Sequence, residues 1–155
     1  MIQQGIGWKI PIPRGADPRR LFPLYQFKVD AALGFVELAL EGTLREDEMR
    51  RFVEECLAAI RGSGRAPERG WRVLADMSRL RTTSPEAAEV LRVGQMGAMG
   101  AGMTRIAEVV GSEVTALQLN RVARASGMDR MLRRFHDRQE ARRWVLEGGD
   151  QLDAA

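Results

Sequence analysis

Four hydroxyl residues crowd one short stretch, "ADMSRLRTTSPEAAEVL": Ser78, Thr82, Thr83 and Ser84. Hydroxyls just before a helix can accept a phosphate, line a ligand loop, or cap the helix. Other reactive groups are sparse. The chain has one histidine, His136, and one cysteine, Cys56. His136 is flanked by Phe135 and Asp137 at a strand end and reads as a surface or packing residue, not a base. Cys56 falls inside an apolar helical stripe, so its thiol is expected to be buried and inert. Glu46, Asp47 and Glu48 are consecutive at a helix start, point in different directions, and form no convergent acid–base pair. No GxGxxG follows the first strand, and no P-loop, HExxH or GxSxG motif occurs. The chain is therefore expected to be non-enzymatic, with no cofactor and no metal site.

Elements must position those hydroxyls. Tyr25, Phe27 and Val29 alternate with Gln26, Lys28 and Asp30. Phe35, Glu37 and Ala39 then face opposite to Val36, Leu38 and Leu40. Two period-2 runs around "AALG" predict an antiparallel hairpin. Residues 44–61 place Met49, Phe52, Val53, Cys56, Leu57 and Ile60 on one apolar stripe, which predicts a helix. Its first turn holds Glu46, Asp47 and Glu48, where carboxylates suit the helix dipole. "GSGRAPERG" reads as a loop, and "WRVLADM" as a strand buried in the sheet. A second helix starts after Ser84, with Pro85 at its first position and Glu86 behind it. Gly94, Gly97, Gly100 and Gly102 are expected to weaken its end and to allow close approach to a sheet. "RIAEVV" is a further strand, and a third helix runs from about Ser112 to Ser126 with Gly127 as its cap. "MLRRFH" is a last strand. "DRQEARRWVLEG" closes the domain, with Asp137 and Glu140 as a capping pair and Ala141, Trp144 and Val145 facing inward. A hairpin followed by alternating helices and strands predicts a mixed α/β sheet with right-handed crossovers.

Composition bounds the class. The length of 155 residues suggests one domain, and 45% apolar with 29% charged residues is ordinary for a soluble globular protein. Residues 1–23 carry Pro11, Pro13, Pro18 and Pro23 and read as an extended Pro/Gly-rich arm. Trp8, Ile10 and Ile12 of that arm could pack on the body or on a partner. Residues 24–148 form the expected domain and 149–155 a flexible tail. No run approaches the ~18 apolar residues of a membrane span, and the N-terminus shows no signal-peptide core. A single cysteine excludes an intrachain disulfide and a Cys-based zinc cluster, and a cytoplasmic location is the default. The formal charge is +3, unevenly spread: residues 35–60 hold three Arg against seven acids, and residues 121–143 eight Arg against three acids. That asymmetry reads as solvated helix faces and is compatible with an anionic partner or self-association. Of 24 basic residues 22 are Arg, a type that favours bidentate contacts to carboxylate or phosphate. With aromatics at 6% and no helix-turn-helix, nucleic acid is not the expected partner.

Over about residues 25–147 the chain resembles the STAS family of bacterial anti-sigma factor antagonists, and more closely its SpoIIAA-like, STAS/CRAL-TRIO-like branch. "VELALEGTL", "WRVLADMSRL", "TRIAEVVGS" and "RRFHDRQEARRWVL" carry the resemblance. It implies a bacterial, small four-helix, mixed-sheet domain that works by binding. In such antagonists a kinase-like anti-sigma factor docks on the loop and helix after the buried strand. Phosphorylation of a serine at that helix start turns binding off. The usual pattern is Asp-Leu-Ser, a spacer, then Asp-Ser-Ser-Gly. Asp76, Met77 and Ser78 match its first part. Ser84 falls where the Asp belongs and Pro85 where the phosphorylated serine belongs; Glu86 and Ala87 follow.

The expected function is thus a non-enzymatic, STAS-like protein-interaction and regulatory domain that lacks the usual phosphoacceptor. Its partner would be another protein or a second copy as a homodimer. The expected binding surface is Asp76, Ser78, Thr82, Thr83, Ser84, Met96 and Met99. Ser84 is expected to act first as a helix cap, with Ser84 and Thr83 as the remaining candidates for phosphorylation. The alternative is a small-molecule or lipid-binding protein, which would need an apolar pocket of several hundred Å³.

Overall fold

A computed structural model describes residues 24–148. The expected arm (1–23, with Trp8, Ile10 and Ile12) and tail (149–155) lie outside the described residues. Strands β1 (Tyr25–Asp30) and β2 (Phe35–Gly42) form the antiparallel hairpin, with Val29 opposite Val36. Its turn closes through Gly34 N–H to Asp30 O at 2.9 Å, and Gly34 takes a left-handed φ of 65°. Arg65 crosses over this turn and donates to Ala31 O at 2.8 Å and to Gly70 O at 3.0 Å. A side chain at Gly34 would meet that guanidinium, so glycine answers both backbone and space here.

Helix α1 (Glu46–Arg61) leads to β3 (Trp71–Leu80), α2 (Pro85–Gly100) to β4 (Met103–Val110), and α3 (Glu113–Ser126) to β5 (Leu132–Phe135). Helix α4 (Arg138–Arg143) continues into one wide helical turn, Trp144–Gly148. The sheet order is β1-β2-β3-β4-β5, parallel from β2 onward. Each crossover steps one strand in the same direction, and right-handed crossovers then put α1, α2 and α3 on one face. There Val36, Leu38, Val73, Ala75, Met77 and Ile106 pack under Met49, Phe52, Leu91 and Leu119. On the other face Ala141 and Val145 cover Phe35, Leu74, Ala107 and Val109. Both faces of β3 are covered, which is why "WRVLADM" is almost continuously apolar.

Several boundaries differ from expectation: β4 starts earlier, at Met103, β5 is the shorter Leu132–Phe135, and three further differences bear on the site. Helix α1 begins at Glu46, because Leu44 is buried as an anchor and Glu48 accepts from Arg45 N–H at 2.8 Å. Strand β3 continues to Leu80, because β2 reaches Gly42 and pairs Glu41 with Arg79 and Gly42 with Leu80 after a bulge. Helix α2 is unbroken through its glycines to Gly100. Its close approach is to a helix, not a sheet: a Cβ at Gly94 would stand 2.7 Å from Val53, and one at Gly97 2.8 Å from Leu57. Among the described residues no helix is long and apolar enough to cross a membrane.

Candidate functional site

The connection from β3 to α2 is short and fastened. Thr83 N–H donates to Gln118 Oε1 at 2.9 Å, and Gln118 Nε2 returns a bond to Thr83 O at 2.9 Å. Thr83 Oγ1 donates to Leu44 O, at the entry to α1. Thr115 Oγ1 donates to Leu80 O at 3.0 Å. The loop is thus tied to α3 and to the segment before α1, and the Thr83 hydroxyl is already engaged. Ser84 is the N-cap of α2 and accepts from Ala87 N–H at 3.1 Å. Thr82 is exposed and makes no hydrogen bond among the described residues.

Asp76 and Ser78 belong to a different surface. Asp76 Oδ1 accepts from Ser78 N at 3.0 Å and Ser78 Oγ at 2.6 Å, while Oδ2 accepts from Arg138 Nη1 at 2.9 Å. Arg138 also reaches Glu37, which has Lys28 at 3.4 Å and Arg142 at 3.3 Å. The Glu37 side chain is only 5% exposed. Burial alone would raise its pKa, but the hydrogen bond and charge of Arg138, with Lys28 and Arg142, outweigh it and hold the carboxyl below its usual range. This ionic network sits on the α4 face of the sheet and joins β1, β2, β3 and α4. A polar groove of about 410 Å³ runs beside it, with Asp76, Ser78 and Arg138 in its wall.

The expected site residues therefore do not form one patch. Asp76 and Ser78 face α4. Thr82, Thr83 and Ser84 lie at the end of the sheet. Met96 is exposed on the outer side of α2, about 18 Å along the axis from Ser84. Met99 is half-buried against the core. Sequence reasoning picked out Met96 but missed the exposed apolar residues Val93, Val114 and Leu117. Val93 and Met96 on α2 are 52% and 49% exposed, and Val114 and Leu117 on α3 are 65% and 57% exposed. Val114 shares a helix face with Gln118, so it borders the loop that Gln118 holds. Their signal was present, since Val114 and Leu117 fall off the stripe of Leu119, Val122 and Ala123.

Charges inside the sheet were missed as well. Glu108 is buried in β4 and meets Arg134 Nε at 3.0 Å and Nη2 at 2.8 Å. Burial pushes the Glu108 carboxyl up, against the pull of Arg134. Arg134 also donates to Asn120 of α3, so the pair ties β4, β5 and α3 together. Elsewhere, His136 is exposed, and burial raises the Cys56 thiol to about 12. Glu46 pairs with Arg50 at 2.7 Å and Asp47 with Arg51 at 3.4 Å. Among the described residues no group of three His, Cys, Asp or Glu is placed to hold a metal ion. The apolar space under α1 and α2, walled in part by Phe52, Cys56 and Gln95, measures about 80 Å³. A drug-sized ligand needs roughly 300 Å³ or more.

Comparison with known proteins matches this geometry at the level of fold. The model of the family described as SpoIIAA-like matches residues 35–146. A crystal structure of an uncharacterized DUF3478-family protein from Shewanella loihica PV-4, with a SpoIIAA-like fold, superposes with a TM-score of 0.54 at 19% identity. The alignment covers 90% of this chain and 94% of that one. No curated protein matches the chain.

Proposed function

Because the chain belongs to the SpoIIAA-like family, we propose that it works by binding a partner protein and not by catalysis. The binding surface is the β3–α2 loop with the outer side of α2 and the first turns of α3. One observation carries the reading: the loop is clamped by Thr83 and Gln118, and the two helices it joins to expose Val93 and Met96 on α2 and Val114 and Leu117 on α3. Fixed loops with apolar neighbours suit recognition, because little ordering entropy is lost on binding. Asp76 and Ser78, held with Arg138 on the α4 face, do not touch the partner.

The usual serine switch is absent from this reading. Pro85 holds the first helical position and has no hydroxyl, Ser84 is engaged as a cap, and Thr83 donates to Leu44. The domain therefore binds without phosphate control, in the cytoplasm, and either a different protein or a second copy meets this surface.

Affinity capture from the native host, quantified by mass spectrometry, tests both parts. A partner retained by the unaltered chain is lost when Ser84→Arg and Met96→Arg are combined, and kept with Asp129→Ser and Arg143→Ser. Capture that survives the first pair sinks the reading. Stoichiometric phosphate on Thr82, Thr83 or Ser84 in protein from that host sinks the switch-free part.

A further inference from the structure

Helices α1 and α2 touch closely at one end and part at the other. At Gly94 and Gly97 the missing side chains let Val53 and Leu57 press against the α2 backbone. Toward the helix starts an open groove of about 530 Å³ lies between them. Its floor is apolar, formed by Val53, Val90 and Val93, with Pro85 at the end. Among the described residues its rim is acidic, with Glu46, Glu54, Glu86 and Glu89 beside Arg50. Glu46 is paired with Arg50 and Glu89 with Arg92, each at 2.7 Å. Glu54 and Glu86 are exposed and carry no ion pair among the described residues.

We propose that this groove docks a basic amphipathic segment of the partner protein. The inference deepens the reading above and rests on it, since Val93 belongs to both surfaces. An apolar floor between two carboxylate rows fits a segment with apolar side chains down and Lys or Arg on its flanks, the helix-in-groove mode of recognition. From Pro85 to Val93 the groove spans about 12 Å, or two helical turns of the occupant. The rim charge attracts a cationic segment and repels an acidic one, so it selects the partner's sign as well as its shape.

The test uses the full chain and two fluorescent peptides in anisotropy titrations. One has Leu on a helical stripe with Lys elsewhere; the other replaces every Lys by Glu. The Lys peptide binds, loses affinity as salt rises, and binds the Glu54→Lys/Glu86→Lys variant at least about tenfold more weakly. Glu68→Lys/Asp129→Lys, the same charge change at exposed sites elsewhere, binds like the unaltered chain. Val93→Ser is the second variant, should the lysine pair fail to fold, and it also weakens binding. Equal binding of the Glu peptide, or equal loss in the control variant, overturns the proposal. So does binding that appears only after residues 1–23 are removed, or a groove occupied by a second copy with no peptide bound. Capture lost in Ser84→Arg/Met96→Arg with no peptide binding leaves the function reading standing and removes this inference alone.

Discussion

At Glu37 burial and pairing pull in opposite directions, and pairing wins. Its carboxyl pKa is depressed in the fold, so its stabilisation is present above the unfolded value of about 4.3 and lost as pH falls through the lower folded value. Glu37→Gln is expected to cost about 2 kcal/mol at neutral pH, because Arg138 and Lys28 lose a charged acceptor. It also flattens the fall in stability below pH ~4, where the native carboxyl would otherwise be protonated. Thermal melts of both proteins between neutral and acid pH check this, and parallel curves would contradict it. Thr83 makes a second case. Its hydroxyl looked free for phosphate in the sequence, but it donates to Leu44 O, 39 positions away. No local pattern encodes such a partner. Ser84 was legible, because capping depends on the next three residues alone. Thr83→Val and Ser84→Ala should each lose about 1 kcal/mol in denaturant unfolding.

Element order and type were readable because periodicity is local: the hairpin, the α1 stripe, and the caps Ser84, Asp137 and Gly127 are all where the spacing put them. What periodicity could not supply was partner strands and helices. Strand β3 runs on past Ser78 to Arg79 and Leu80 because Glu41 and Gly42 of β2 are there to pair with the last two. The glycines of α2 looked like a weak helix end, yet α1 leans on them. Gly→Ala in an exposed helix interior gains about 1 kcal/mol. At Gly94 the stiff Val53 stands in the way. Gly94→Ala should therefore destabilise by about 1 to 3 kcal/mol, and Val53→Ala should restore part of the loss. A stabilised Gly94→Ala, measured by denaturant unfolding, would show that the helices can simply separate.

The molecule as a whole is held from two sides of one sheet, and its charge asymmetry is partly internal. The acidic stretch 35–60 contains Glu37 and the basic stretch 121–143 contains Arg138 and Arg142, which meet across 101 and 105 positions. Arg134 of the basic stretch is internal too, bound to buried Glu108, while solvated helix positions carry much of the remainder, including Glu46 and Glu54 on the rim of the α1–α2 groove. The core is closed enough that Cys56 should react with a thiol reagent only as fast as the fold opens. Its labelling rate is expected to rise with denaturant in step with unfolding. The claim that matters most is where a partner lands. Hydrogen exchange of the chain, alone and with the captured protein, answers that directly. The account predicts added protection at residues 81–99 and 113–118, and none in α4. Protection confined to α4 and the sheet face around Glu37 and Asp76 would contradict it.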